Sequence, residues 1–252
     1  MGTGSRMGLK TAAGIRLEEL GRGIVRGGLR AVSDLLLPER CGQCGKACGV
    51  GGYCVDCRAG LARHACQCQV CGESFSGGDV CGRCQRDPPP VAETIAPFKY
   101  ASPISDAIHA LKYHRKLAFG RDLGYLLAGE LAHRARWIPD ALVPVPLHWK
   151  RQFRRGFNQS VEISRPLSRR FGIPIELHLV ERQVHTVAQV GLTPTQRRAN
   201  LRRAFRCTLL EVPASVAIVD DVITSGSTVS EVARCLRRAG VERIAVWALT
   251  HV

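Results

Sequence analysis

The sequence has no apolar run near the roughly 18 residues that a membrane-spanning helix needs, so a spanning protein is not expected. Its start, MGTGSRMGLKTAAGIRLEELGRG, lacks the uninterrupted apolar stretch of a secretory signal. A cytoplasmic protein is therefore expected, in a compartment where thiols stay reduced. Acidic residues are scarce: 21 Asp+Glu face 36 Lys+Arg, a net charge of +15. Lysine is scarce too, because Arg supplies 30 of those 36 cations. The planar guanidinium fork suits bidentate phosphate binding better than the point charge of lysine. A phosphorylated small molecule or a nucleic acid is the partner class this favours; a solvated basic surface is the plainer alternative. With 45% hydrophobic and 23% charged residues, the composition is neither disordered nor fibrous. A chain of 252 residues suits one large domain or two smaller ones.

Three domains are expected. Residues 1–40 form a basic leader in which Leu17, Leu20, Ile24, Val32, Leu35 and Leu36 fall near helical spacing. Its glycines weaken that helix, which could dock on the protein itself or lie on a membrane surface. Residues 41–87 hold the cysteine cluster, and Pro88–Val91 reads as a stiff linker. From 91 to 252 strand-like and helix-like runs alternate, the pattern of α/β folding. Expected strands are Ala92–Tyr100, Ala141–Val145, Ile175–Arg182, Ser215–Val219 and Arg243–Leu249.

Ten of the 12 cysteines fall between Cys41 and Cys84. Cys41-x2-Cys44 and Cys54-x2-Cys57 recur as Cys68-x2-Cys71 and Cys81-x2-Cys84, offset by 27 residues. Such a duplication is an internal repeat. Four thiolates from two paired turns make a closed tetrahedral Zn²⁺ site, a structural rather than a catalytic one. Few large apolar residues lie in this stretch, so metal would stand in for a core. Cys48 and Cys66 fall outside the repeat. An iron–sulfur cluster, or a cross-braced pairing of Cys41/Cys44 with Cys68/Cys71, are the alternatives; the spacing is nearer to zinc ribbons than to ferredoxins.

Residues 215–228, SVAIVDDVITSGST, read as a buried strand ended by Asp220 and Asp221, a small-residue turn and a helix over Val229–Ala239. A helix N-terminus after a loop of Thr224, Ser225, Gly226, Ser227 and Thr228 is an anion site. Two carboxylates beside it would repel phosphate unless they accept hydrogen bonds from sugar hydroxyls or share a metal with them. A ribose 5-phosphate meets both requirements. In RRGFNQ, Arg154 and Arg155 can fork onto phosphate oxygens, Gly156 permits close approach, and Asn158 and Gln159 add neutral donors. A basic loop anchored by Phe157 is the plainer reading.

These residues carry a resemblance. SVAIVDDVITSGST resembles the 5-phosphoribosyl-1-pyrophosphate (PRPP) motif of type I phosphoribosyltransferases. With LLLPERCGQCG at 35–45, LKYHRK at 111–116, VPVPLHWKRQFRRGFNQS at 143–160 and QRRANLRRAF at 196–205, the chain from about Leu35 onward resembles the ComF/GntX family. One departure is Ser225 where related loops often have Thr; the hydroxyl is kept. The resemblance implies a double zinc ribbon followed by a Rossmann-like parallel sheet of phosphoribosyltransferase type. It implies that Asp220 and Asp221 contact the ribose hydroxyls and that Thr224–Thr228 hold the 5-phosphate. Arg154, Arg155, Gly156, Asn158 and Gln159 would lie beside the pyrophosphate, with Mg²⁺. Residues 185–200, with Gln189, Arg197, Arg198 and Asn200, would form a mobile loop, Arg197 and Arg198 being candidates for catalysis.

Three functions follow. One is a phosphoribosyltransferase that passes the ribosyl phosphate from PRPP to an acceptor. Another is a competence-associated module for DNA uptake or utilisation, keeping the PRPP pocket and meeting single-stranded DNA and a helicase-like partner. A sensor of PRPP without turnover is the third. Lys112, Tyr113, His114 and Arg115 form a further basic and aromatic cluster.

Overall fold

A computed structural model describes residues 39–48, 51–147, 149–183, 204–209 and 211–252. The leader before Glu39 lies outside the described residues, as does the expected mobile loop with Gln189, Arg197, Arg198 and Asn200.

The sequence repeat is a structural repeat. Strands β1 (Glu39–Arg40) and β2 (Ala47–Cys48) pair antiparallel across the first turn, and helix α1 (Val55–Ala59) follows Cys54. Helix α2 (Gly82–Arg86) follows Cys81 in the same way. The two Cys-x2-Cys turns share their hydrogen bonds: Gly45 N–H reaches Cys41 O at 2.9 Å, and Gly72 N–H reaches Cys68 O at 2.8 Å.

The remaining elements are β3 (Glu93–Ile95), β4 (Phe98–Lys99), α3 (Ile104–His114), α4 (Leu117–Arg134), β5 (Ala141–Pro144), α5 (Trp149–Arg155), α6 (Gln159–Phe171), β6 (Val180–Arg182), β7 (Phe205–Cys207), β8 (Ser215–Ile223), α7 (Ser227–Arg238) and β9 (Arg243–His251). The main sheet runs β3-β9-β8-β5 with every pairing parallel, and β4 also pairs with β9. Apolar runs such as Val216–Val219 are buried on both faces, as a parallel sheet requires. One face packs on α3, α4 and α6 through Ile108, Leu123, Leu127, Ile163 and the fully buried Trp247. The other packs on α7 and on the antiparallel pair β6–β7, through Val232, Leu236, Val180 and Phe205. Where α4 crosses α6, a Cβ on Gly124 would lie 2.6 Å from the Ile163 carbonyl oxygen, so only glycine lets these backbones approach.

Both ribbons are built into the α/β unit. Tyr53 and Leu61 of the first join the core cluster under α3 and α4. The second is stitched to β3: Thr94 N–H donates to Gln69 O at 2.8 Å, and Thr94 Oγ1 donates to Val70 O at 2.7 Å. Among the described residues no helix is long and apolar enough to cross a membrane.

β5 ends one residue before the expected Val145 and β9 runs two residues past the expected Leu249, while three strands depart further from expectation. Ala92–Tyr100 splits into β3 and β4 around Ala96–Pro97, because proline has no N–H for the ladder. Of Ile175–Arg182, only Val180–Arg182 is a strand, and it pairs with β7; Ile175 makes a single bridge to Leu142. The third difference bears on the site. β8 does not stop at its acids but continues to Ile223, because β9 still offers partners at Ala248, Thr250 and His251. On the other side β5 ends at Pro144, opposite Val219. Asp220 and Asp221 therefore project past the end of one neighbour while the other still holds their backbone.

Candidate functional site

In each cysteine quartet the sulfurs lie within 4.8 Å of one another: Cys41, Cys44, Cys54, Cys57 in one, and Cys68, Cys71, Cys81, Cys84 in the other. A Zn–S bond of about 2.3 Å in a tetrahedron sets neighbouring sulfurs about 3.8 Å apart. Cys44 and Cys54 Sγ are 3.7 Å apart, and Cys71 and Cys81 Sγ are 3.8 Å apart. That is metal-ligand spacing, far beyond a disulfide bond of about 2 Å. Cys81 N–H also points at Cys68 Sγ, at 3.3 Å, which stabilises a thiolate. The two quartets fit structural zinc, which would cross-link each pair of turns. The grouping rules out the cross-braced pairing, and Cys48 and Cys66 stand outside both quartets.

The second centre is the acid pair. Asp220 is 8% exposed and Asp221 is 3% exposed, at the carboxyl end of β8. Along β8, Ala217 and Val219 face the α3–α6 side and Val216 and Ile218 face α7; beyond the acids Val222 takes the first side and Ile223 the second. The alternation therefore slips by one residue at the acids, and both carboxylates find partners on the same face. Lys112 of α3 makes an ion pair with Asp221 Oδ2. Ser160 Oγ of α6 donates to Asp220 Oδ1 at 3.2 Å, and Asp221 N–H donates to the same oxygen at 2.9 Å. Burial, and then the neighbouring Asp221 charge, push the Asp220 carboxyl up to about 8. Burial alone would lower the Lys112 ammonium, but the Asp221 carboxylate outweighs it and holds Lys112 above its ordinary value.

Next along the chain, Gly226 sits at φ +67°, the left-handed region that glycine takes without strain, and turns the chain into α7. The first-turn N–H groups of a helix have no intrahelical partner, and no acid stands in this first turn. Helix and loop together present Thr224, Ser225, Ser227 and Thr228, with Ser225 Oγ and Ser227 Oγ 2.8 Å apart. Thr224 is exposed and Ser227 is buried. The helix starts two residues before the expected Val229, so Ser227 and Thr228 belong to its first turn.

The RRGFNQ stretch joins α5 to α6. Asn158 caps α6 by accepting from Ser160 N–H at 3.0 Å, and its amide donates to Val145 O at 3.0 Å. Gln159 is buried and accepts from Arg155 at 3.1 Å. These two amides therefore tie α6, and with it Ser160, to the end of β5. Arg155 also lies over the Tyr113 ring, 5.5 Å from its centroid, and close enough to Lys112 to oppose its charge. Arg154 is exposed, and its carbonyl accepts from Arg115 at 2.9 Å. Gly156 takes φ +79° at the end of α5.

Sequence reasoning gave Lys112 no part in the acid site and passed over Ser160. Neither has a local signal: Lys112 stands 109 residues before Asp221 (221 − 112), and only the packing of α3 and α6 on one face brings both to the acids.

Fold and site define a class: a parallel α/β protein with a cysteine-ribbon module at its N-terminal side, and two buried acids followed by a glycine turn and a helix N-terminus at the sheet's carboxyl end. Residues 32–85 match the double zinc ribbon domain family. The chain is 36% identical over 222 residues to the DNA utilization protein YhgH of Escherichia coli K12, covering 85% of this chain and 98% of that protein. It is also 36% identical over 221 residues to Competence protein F of Haemophilus influenzae, covering 79% and 96%. The chain belongs to this ComF/GntX family. Among solved structures, it overlaps glutamine PRPP amidotransferase from B. subtilis at 22% identity and TM-score 0.33, over 49% of this chain and 24% of that one. It overlaps a purine phosphoribosyltransferase from Pyrococcus horikoshii at 15% identity and TM-score 0.31, over 52% and 80%.

Two predictions follow from this geometry. Elemental analysis of the purified protein is expected to find two zinc ions per chain, unchanged when Cys207 and Cys235 are replaced by serine. Stoichiometric iron, or no metal, contradicts the assignment. The second concerns pH. Asp220 titrates higher folded than unfolded, so the unfolded chain sheds its proton first. Stability contributed at low pH is then lost as pH rises from the ordinary carboxylate range toward about 8. Asp220→Asn keeps the Oδ1 acceptor and removes the titration. Its Tm is expected to exceed that of the wild type at pH 8 and to match it near pH 4; equal differences at both values would refute the shift.

Proposed function

We propose that the chain binds PRPP at the carboxyl end of β8 and is a phosphoribosyltransferase-like protein of DNA utilisation. The observation that carries this reading is the buried acid pair set directly before a glycine turn and a helix N-terminus. Asp220 and Asp221 would accept the two ribose hydroxyls, and the Thr224–Thr228 turn would take the 5-phosphate on backbone N–H groups and hydroxyls. Lys112, ion-paired to Asp221, sets a positive charge against that acid and offsets its repulsion of the phosphate. Arg154 and Arg155, beside this site, would face the pyrophosphate. Arg197 and Arg198 remain candidates for the closing loop.

Mg²⁺ would come with the pyrophosphate and neutralise its charge. The described residues bring no third carboxylate, histidine or cysteine to the acid pair, so the phosphate oxygens rather than the protein would hold most of the ion. In turnover, the bond from ribose C1 to pyrophosphate breaks and a bond to the acceptor forms, with pyrophosphate leaving. The developing charge on the leaving group is what the arginines stabilise.

A second reading concerns single-stranded DNA, and a specific surface favours it. Trp149 and Phe153, four apart on α5, are 63% and 87% exposed, and Tyr113 is 59% exposed beneath Arg155. Exposed rings among arginines are a stacking platform for bases, with phosphates neutralised beside them. The relatives named for DNA utilization and competence agree with this use, and a helicase-like protein would be the natural partner.

One pair of variants separates the readings. In calorimetry with PRPP and Mg²⁺, Asp220→Ala with Asp221→Ala is expected to abolish binding while zinc content is unchanged; equal affinity rejects the acid site. Trp149→Ala with Phe153→Ala should leave PRPP affinity intact and weaken a labelled oligonucleotide by about thirtyfold or more, on the scale of 1–3 kcal/mol per stacked base at two rings. Oligonucleotide affinity that neither falls with salt nor responds to these substitutions rejects the platform.

A further inference from the structure

The second ribbon does more than brace the sheet. It encloses a cavity of about 710 Å³ against α7 and the ends of β8 and β9. That is within the roughly 300–1,000 Å³ of small-molecule sites. The cavity shares Ser225, Gly226 and Ser227 with the turn after β8. Asp220, Asp221 and Lys112 do not line it; their partners lie on the α3–α6 side of the sheet.

Its walls have a definite chemistry. Arg83 of α2 lines it from the ribbon, and Arg234 and Arg238, one turn apart, line it from α7. Arg83 pairs with Glu73 at 2.7 Å and also donates to the Cys71 sulfur, and Arg234 pairs with Glu231. A guanidinium has five N–H donors in a planar fork, so these contacts leave others to meet a phosphate. The apolar part of the lining is Val70, Val91, Val229 and Val246 with Ile223 and the Pro88–Pro89 pair, and Asp87 and Ser230 stand beside it. Such walls suit the face of a planar ring. Polar groups inside are fixed: Ser227, Thr94, His251 and Glu231 are each at most 9% exposed. Glu231 offers a carboxylate acceptor for a ring or exocyclic N–H.

We propose that the cavity between the second ribbon and α7 is a nucleoside monophosphate site, with the phosphate held between Arg83 and Arg234 and the base against the valine walls. The site is separate from the acid pair, and its zinc ribbon is one of its walls. A basic anion alone would need only the arginines; the valine-lined depth and the buried Glu231 add recognition of a base.

The test uses the full chain in its zinc-loaded form with adenosine 5′-monophosphate as the probe. Calorimetry is expected to show saturable binding at one site per chain. Inorganic phosphate and adenosine should each bind at least tenfold more weakly. Arg83→Ala and Arg234→Ala should each weaken the nucleotide at least tenfold; both residues are about half exposed, so neither change empties the core, and zinc content reports folding. Affinity for PRPP should be the same in both variants as in the wild type. No saturable binding of the nucleotide, or an affinity that neither arginine changes, overturns the proposal. So does loss of the nucleotide in Asp220→Ala with Asp221→Ala, which would place it at the acid pair. Failure of PRPP to bind the wild type would reject the preceding reading and leave this site standing if the nucleotide results hold.

Discussion

Two adjacent carboxylates are carried into the protein at the end of its central strand, and the α/β unit is arranged around that constraint. Burying a charge without a partner costs several kcal/mol. Lys112 from α3 supplies the opposite charge, and Ser160 from α6 supplies a hydroxyl. Both helices are therefore fixed to the same face of the sheet by polar contacts as well as by Ile108, Ile163 and Leu167. Asn158 extends the chain of dependence: it caps α6 and at the same time holds the end of β5. Such a polar arrangement specifies position more than it stabilises. In the proposed function it would hold acceptors in place for a ligand that brings hydroxyls and phosphate together.

The ribbons meet a different shortage. Between Cys41 and Cys84 the buried apolar residues beyond the cysteines themselves are few, Tyr53 and Leu61 among them. Structural zinc contributes on the order of 10 kcal/mol to small folds of this kind, and at these two quartets it would stand in for the missing core. Tyr53 and Leu61 then anchor the first ribbon in the core under α3 and α4, while Thr94 ties the second to β3. Ribbon and sheet are thus joined through side-chain packing and hydrogen bonds, and the second ribbon stands as a wall beside α7.

What the sequence displayed was what local geometry dictates. Metal-binding turns need cysteines two apart, so both quartets could be read, and so could the strand, acids, small-residue turn and helix of 215–238. The sheet's parallel character followed from unbroken apolar runs such as Val216–Val219. Less visible was everything set by neighbours. β8 passes through its acids only because β9 continues alongside, and a reader of the chain sees two aspartates and stops. Pro97 and the departure of 177–182 from the sheet shortened strands whose residues have good strand character. Lys112 and Ser160 could not be assigned to the acids because their link is the packing of two helices. Asn158 and Gln159 read as ligand donors; the structure adds partners the sequence does not show, the Val145 carbonyl for the Asn158 amide and Arg155 on the Gln159 carbonyl oxygen. The nucleotide-sized cavity arises only where the ribbon meets α7, and no single segment contains it.

In the proposed function the acid pair and the turn after it form one ribose-phosphate site. A crystal structure of the zinc-loaded protein with bound PRPP tests it most directly. The account predicts both ribose hydroxyls on Asp220 and Asp221, with Lys112 still paired to Asp221, and the 5-phosphate on the turn from Thr224 to Thr228. Density for the ribose phosphate elsewhere, with the two carboxylates untouched, would contradict it.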